Sequence, residues 1–103
     1  MSTPLRDYVK AEDAADLAQR QTNALLQEAG TQLVKAEAKH APMRGAHEGY
    51  AVILEELDEL WTEVKRQKID PTAMRKEALH VAAMALRFIK DVCDAPPQNG
   101  TKS

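Results

Sequence analysis

Residues 47–65 read HEGYAVILEELDELWTEVK, and residues 75–89 read RKEALHVAAMALRFI. At about 100° per residue, Tyr50, Ile53, Leu54, Leu57, Leu60, Trp61 and Val64 fall on one broad apolar face, which predicts a helix from about residue 47 to 66. Glu55, Glu56, Glu59 and Glu63 lie beside that face, with Glu56 closest to its edge. Six acids and no base occur between residues 48 and 63, an arrangement that repels itself unless a cation offsets it.

The next helix has a marked start. Asp70 is an N-cap residue and Pro71 suits the first helical position, where the missing N–H has no partner to lose. The pattern continues to Val92 or Cys93 and predicts Met74, Val81, Ala82, Ala85, Leu86, Phe88, Ile89 and Val92 inward. Upstream, Leu17, Leu25, Leu26, Ala29, Leu33 and Ala36 give a helical stripe from residue 11 to about 39, with a bend or break expected near Gly30. His40-Ala41-Pro42 ends it, because proline disfavours helical geometry in the residue before it. The organisation read from this pattern is a lead-in at 1–10, irregular at Pro4, one helical domain at 11–95 and a tail at 96–103.

The composition agrees. Of the 103 residues 44% are hydrophobic, but 17 are alanine and only four are aromatic, which suits closely packed helices and argues against a β-sandwich or barrel. The expected fold is an all-α bundle whose small core is completed by a second copy, as a homodimer or homotetramer. A net charge of -2 gives no reason to expect nucleic acid as a partner. Cys93 is the single cysteine, so no internal disulfide forms. The chain shows no membrane-spanning run and no apolar leader core, and a cytoplasmic location is the expectation.

The acids then acquire a pattern. In an antiparallel hairpin folded about residue 68, Glu59 and Glu77 are each nine positions from the fold, and Glu56 and His80 are each twelve. The pairs come level, so four oxygen or nitrogen donors converge. Crowded carboxylates favour a cation, and Mg²⁺, with Mn²⁺ possible, is the oxygen-seeking choice.

These two stretches resemble the MazG-like nucleotide pyrophosphohydrolases of the all-α nucleoside triphosphate pyrophosphatase group, over about residues 44–92. The family signature joins Glu-Glu-x-x-Glu on one helix to Glu-x-x-Asp on the next. Glu55, Glu56 and Glu59 match the first part and Glu77 opens the second, while His80 stands where the aspartate is expected. The resemblance implies Glu56, Glu59 and Glu77 as Mg²⁺ ligands, Glu55 as a residue that supports the site or handles water, and His80 at the fourth ligand position. It also implies hydrolysis of a nucleoside triphosphate, ribo- or deoxy-, between the α and β phosphates to monophosphate and pyrophosphate.

A polyphosphate needs further donors. Arg87 returns to the side of His80 after seven residues, Lys90 lies farther round, and Gln19, Asn23 and Gln27 form a polar series on the first helix. Each has a plain helix-surface reading as well. Trp61, Tyr50 and Met84 read as packing residues, and Cys93 as a small buried hydrophobe. Two other functions fit parts of the pattern. Glu37-x-x-His40 and Glu77-x-x-His80 resemble the ligand pairs of a ferritin-like di-iron bundle, and the alanine-rich faces suit a non-catalytic helical interaction module.

Overall fold

The computed structural model describes the backbone of residues 3–95 and the side chains of residues 12–95. Three α-helices follow one another, α1 (Thr3–Lys39), α2 (Ala46–Val64) and α3 (Pro71–Phe88), and a π-helical segment, Ile89–Cys93, continues α3. The expected all-α architecture is present, and no strand occurs among the described residues. The lead-in is helical instead of irregular: α1 begins at Thr3, and Pro4 sits in its first turn, where proline's missing N–H breaks no bond. Nor does Gly30 interrupt α1, which runs through it unbroken. The tail at 96–103 lies outside the described residues.

Local chemistry sets the helix ends. Asp70 Oδ1 accepts from the N–H groups of Thr72 at 3.1 Å and Ala73 at 3.2 Å, with Pro71 following as expected. Gly45 precedes α2 in an extended conformation and offers no side chain as a cap. Glu48 supplies one from inside the helix: its Oε1 accepts from the Arg44 N–H and its Oε2 from the Arg44 guanidinium, at 2.8 Å from Nη2. The same guanidinium holds the Glu48 carboxyl below the usual carboxylate range.

α2 and α3 form the hairpin, and α1 packs on α3 as well, so that side chains of all three helices meet in one core. The core is small: Ala29 and Leu33 of α1, Met43 of the connection, and Ala83 and Met84 of α3 are buried, with Ala36, Val52 and Ile53 packed against them. Gly49 lets α2 approach Phe88 closely, since a β-carbon there would lie 2.5 Å from Phe88 Cδ2. Arg75 and Glu28 pair through two bonds of 2.7 Å and tie α3 to α1.

The inward face of α3 differs from the sequence expectation. Ala83, Met84 and Arg87 are buried, whereas Ala82, Ala85, Leu86 and Ile89 are exposed. The apolar arc of α3 is wider than the sector its two neighbours cover, and the smaller, partly polar sector lies between them. Similarly, Tyr50, Leu54, Leu57, Trp61 and Val64 leave one side of α2 open, and Trp61 is 56% exposed. From Glu12 to Gln27 every side chain of α1 is exposed, including Leu17, Leu25 and Leu26. Cys93 is exposed as well, contrary to its reading as a buried residue. No helix among the described residues is long and apolar enough to cross a membrane.

Candidate metal centre

The hairpin brings the level pairs together. Glu56 and Glu59 of α2 and Glu77 and His80 of α3 each present one ligand atom, and these four atoms lie within 4.8 Å of one another. His80 Nδ1 stands 3.4 Å from Glu77 Oε1 and 3.6 Å from Glu56 Oε1. Glu77 Oε1 is buried and has no hydrogen-bond partner. Burial pushes the Glu56 carboxyl above the usual carboxylate range; Glu59 adds to the effect, His80 opposes it, and Glu77 and Glu55 contribute smaller increments.

These donors fit a divalent cation. Three carboxylates and an imidazole form a set of four, one buried oxygen is without a partner, and an octahedral shell with bonds of about 2.1 Å spans about 4.2 Å between opposite ligands. Glu63 is not part of the set, because its carboxylate pairs with Arg66 at 2.7 Å.

Beside the cluster opens a cleft of about 690 Å³. Its lining includes Glu55, Glu56 and His80, the apolar Val52, Ala83 and Met84, the lysines Lys35 and Lys39, and the Arg44–Glu48 ion pair. Glu55 is exposed and lies outside the four-donor group, so it stands at the margin of the cation position. The basic residues of α1 escaped the sequence reading, although Gln32, Lys35, Ala36 and Lys39 follow helical spacing and all reach the cleft.

The expected substrate-binding residues fare differently. Arg87 does line the cleft, but it is only 5% exposed, and its Nη2 donates to the Ala41 carbonyl at 2.7 Å. Its Nε lies 3.6 Å from Asp91 Oδ2, and that carboxylate in turn accepts from the Met43 N–H at 2.9 Å. Arg87 is thus an anchor of the α1–α2 connection, neither a solvent-facing arm nor a free phosphate ligand. Lys90 pairs with Glu37 at 2.8 Å and does not line the cleft. Gln19 donates to Asn23 at 3.1 Å on the exposed part of α1, and neither residue reaches the cleft. Gln27 does not line it either; the amide that arrives is Gln32.

The di-iron pattern is not assembled. Glu37 is held by Lys90, His40 is exposed, and neither belongs to the one group of clustered His, Cys, Asp and Glu donors among the described residues. His40 follows the last residue of α1 and lines the cleft without joining the four-donor group. The chain matches no protein-family model, no curated protein and no solved structure.

Proposed function

We propose that this protein is a divalent-cation-dependent nucleotide pyrophosphohydrolase, cleaving a nucleoside triphosphate to monophosphate and pyrophosphate. The observation that carries the reading is the convergence of Glu56, Glu59, Glu77 and His80 from two helices, beside a cleft that Lys35 and Lys39 also line. The position of cleavage rests on the resemblance of residues 44–92 to the MazG-like enzymes.

In this reading Glu56, Glu59, Glu77 and His80 hold Mg²⁺ or Mn²⁺. The cation, when bound, polarises the phosphoanhydride and offsets the charge that develops on its oxygens. Lys35 and Lys39 attract the outer phosphates. Val52, Ala83 and Met84 offer an apolar bed to a base, without the hydrogen-bonding groups that would select one base strongly. In the same reading Glu55, at the margin of the group, accepts a proton from the attacking water. Water adds to the α phosphorus, the bond to the bridging oxygen breaks, and its electron pair leaves with pyrophosphate.

The test is a panel of ribo- and deoxynucleoside triphosphates offered to metal-stripped protein with Mg²⁺ or Mn²⁺ restored, with the products resolved by chromatography. Monophosphate and pyrophosphate are expected for at least one nucleotide. Orthophosphate as the sole released ion sinks the cleavage position, and silence across the panel with both cations sinks the enzyme.

The open apolar side of α2 favours a second property, assembly of copies of this chain into a dimer or tetramer. Burial of Tyr50, Leu54, Leu57, Trp61 and Val64 would supply the core that a single copy lacks. Assembly without turnover, and with no response to substitution of the acids, would instead favour the interaction module.

A further inference from the structure

We infer that His80 is a direct nitrogen ligand and makes this centre select first-row transition cations, such as Mn²⁺, Fe²⁺ or Co²⁺, over Mg²⁺; the inference rests on the cation-binding part of the proposed function.

The spacing of the donors motivates it. Three carboxylates of the molecule close on their cations at hydrogen-bond distance, 2.7 Å for Glu28 with Arg75, 2.8 Å for Glu37 with Lys90 and 2.7 Å for Glu63 with Arg66, and the wider Arg87–Asp91 pair at 3.6 Å has its carboxylate engaged by the Met43 N–H instead. His80 Nδ1 faces two carboxylate oxygens at 3.4 and 3.6 Å and forms a hydrogen bond with neither, although all three side chains are partly buried. Neighbouring ligands of an octahedral ion with bonds of about 2.1 Å are about 3 Å apart. The atoms are therefore spaced like ligands around a common centre, and the partnerless Glu77 Oε1 is one of them.

The chemistry of the set then decides the cation. Mg²⁺ demands a strict octahedron and takes oxygen donors, whereas imidazole suits the later first-row metals and carboxylate suits Mn²⁺ and its neighbours. Three carboxylates with one imidazole match a cation that accepts both. Neither His40 nor His47 belongs to the cluster, so His80 is the nitrogen donor available there.

The experiment uses the full chain, stripped of metal and loaded with Mn²⁺ alone, and reads pulsed electron spin echoes. Nitrogen modulation from a bound imidazole is expected in the native protein and in His40→Ala, and its loss is expected in His80→Asp. Calorimetry with Co²⁺ and Mg²⁺ should show the Co²⁺ preference falling on the order of tenfold in His80→Asp, which offers an oxygen in place of nitrogen. Bound Mn²⁺ without nitrogen modulation, or an unchanged preference, overturns the inference while leaving the hydrolase reading intact. Absence of cation binding overturns both. Nitrogen modulation in a protein that hydrolyses no nucleotide supports the inference and counts against the hydrolase alone.

Discussion

The guanidinium of Arg87 and the carbonyl oxygen of Ala41, 46 residues apart in sequence, meet at 2.7 Å and fix the α1–α2 connection to the far end of α3. Asp91 completes the fastening through the Met43 N–H. Because residues 41–44 line the cleft, this contact shapes it. Arg87→Met removes a buried cation and leaves Asp91 without its counter-charge, which should destabilise the fold by about 3 kcal/mol. Arg87→Lys should recover only part of that, since an ammonium lacks the fork that reaches two partners. Urea unfolding of the three proteins checks the ordering.

Gly49 and Gly30 should respond oppositely to alanine. At Gly49 the new methyl group would lie 2.5 and 2.8 Å from two ring carbons of Phe88 and 3.1 Å from Met43 Sδ, so α2 or the ring must move, at a cost of about 1–3 kcal/mol. At Gly30 no such neighbour lies within 4 Å, and the residue sits inside α1. Alanine there should stabilise by about 0.5–1 kcal/mol through backbone entropy. Phe88→Leu should relieve part of the Gly49→Ala penalty, a coupling that a double-mutant cycle measures directly.

The metal-free protein should lose stability as pH rises above the ordinary carboxylate value. Burial and its acidic neighbours raise the Glu56 carboxyl above 4.5, so folding favours its protonated form. The stability contributed by that protonated group is complete below the unfolded value and disappears as pH climbs through the raised native one. Thermal melts in chelator across this window should show the decline, with Glu56→Gln flattening it. Added cation should restore stability at neutral pH by binding the folded state. Melts of the native chain that rise through the same window would contradict this account.

The open stripe on α2 predicts assembly. Light scattering at micromolar concentration should give a mass above the 11.4 kDa of one chain. Trp61→Glu should lower that mass while preserving helical circular dichroism, because Trp61 is mostly exposed within one copy. Trp61 fluorescence should shift to the blue as the native protein assembles and not in a variant that remains monomeric. A persistent monomer would remove the proposed second copy.

Much of this centre was legible because it depends on local order. Helical periodicity placed Glu56 near Glu59 and Glu77 near His80, and the Asp70-Pro71 start fixed where the second pair begins. Counting from residue 68 then brought the pairs level, as the hairpin does. The cleft was harder to read. Lys35 and Lys39 lie on a helix whose tilt against α3 no count of residues supplies, and Gln19 and Asn23 lie too far along α1 to arrive.

The sequence by itself determined that the chain is helical, where α2 and α3 begin, and which four side chains share a level, since each follows from periodicity, caps and a short turn. Only the tertiary structure decided which side of α3 is covered, and with it the fate of Arg87. An apolar arc broader than one contact offers several sides for burial, and packing between α1 and α2 selected the one carrying Ala83, Met84 and Arg87. Once covered, that guanidinium required compensation: Ala41 supplied a hydrogen-bond acceptor and Asp91 a counter-charge 3.6 Å from Nε, the former from a segment brought near only when the helices are in place.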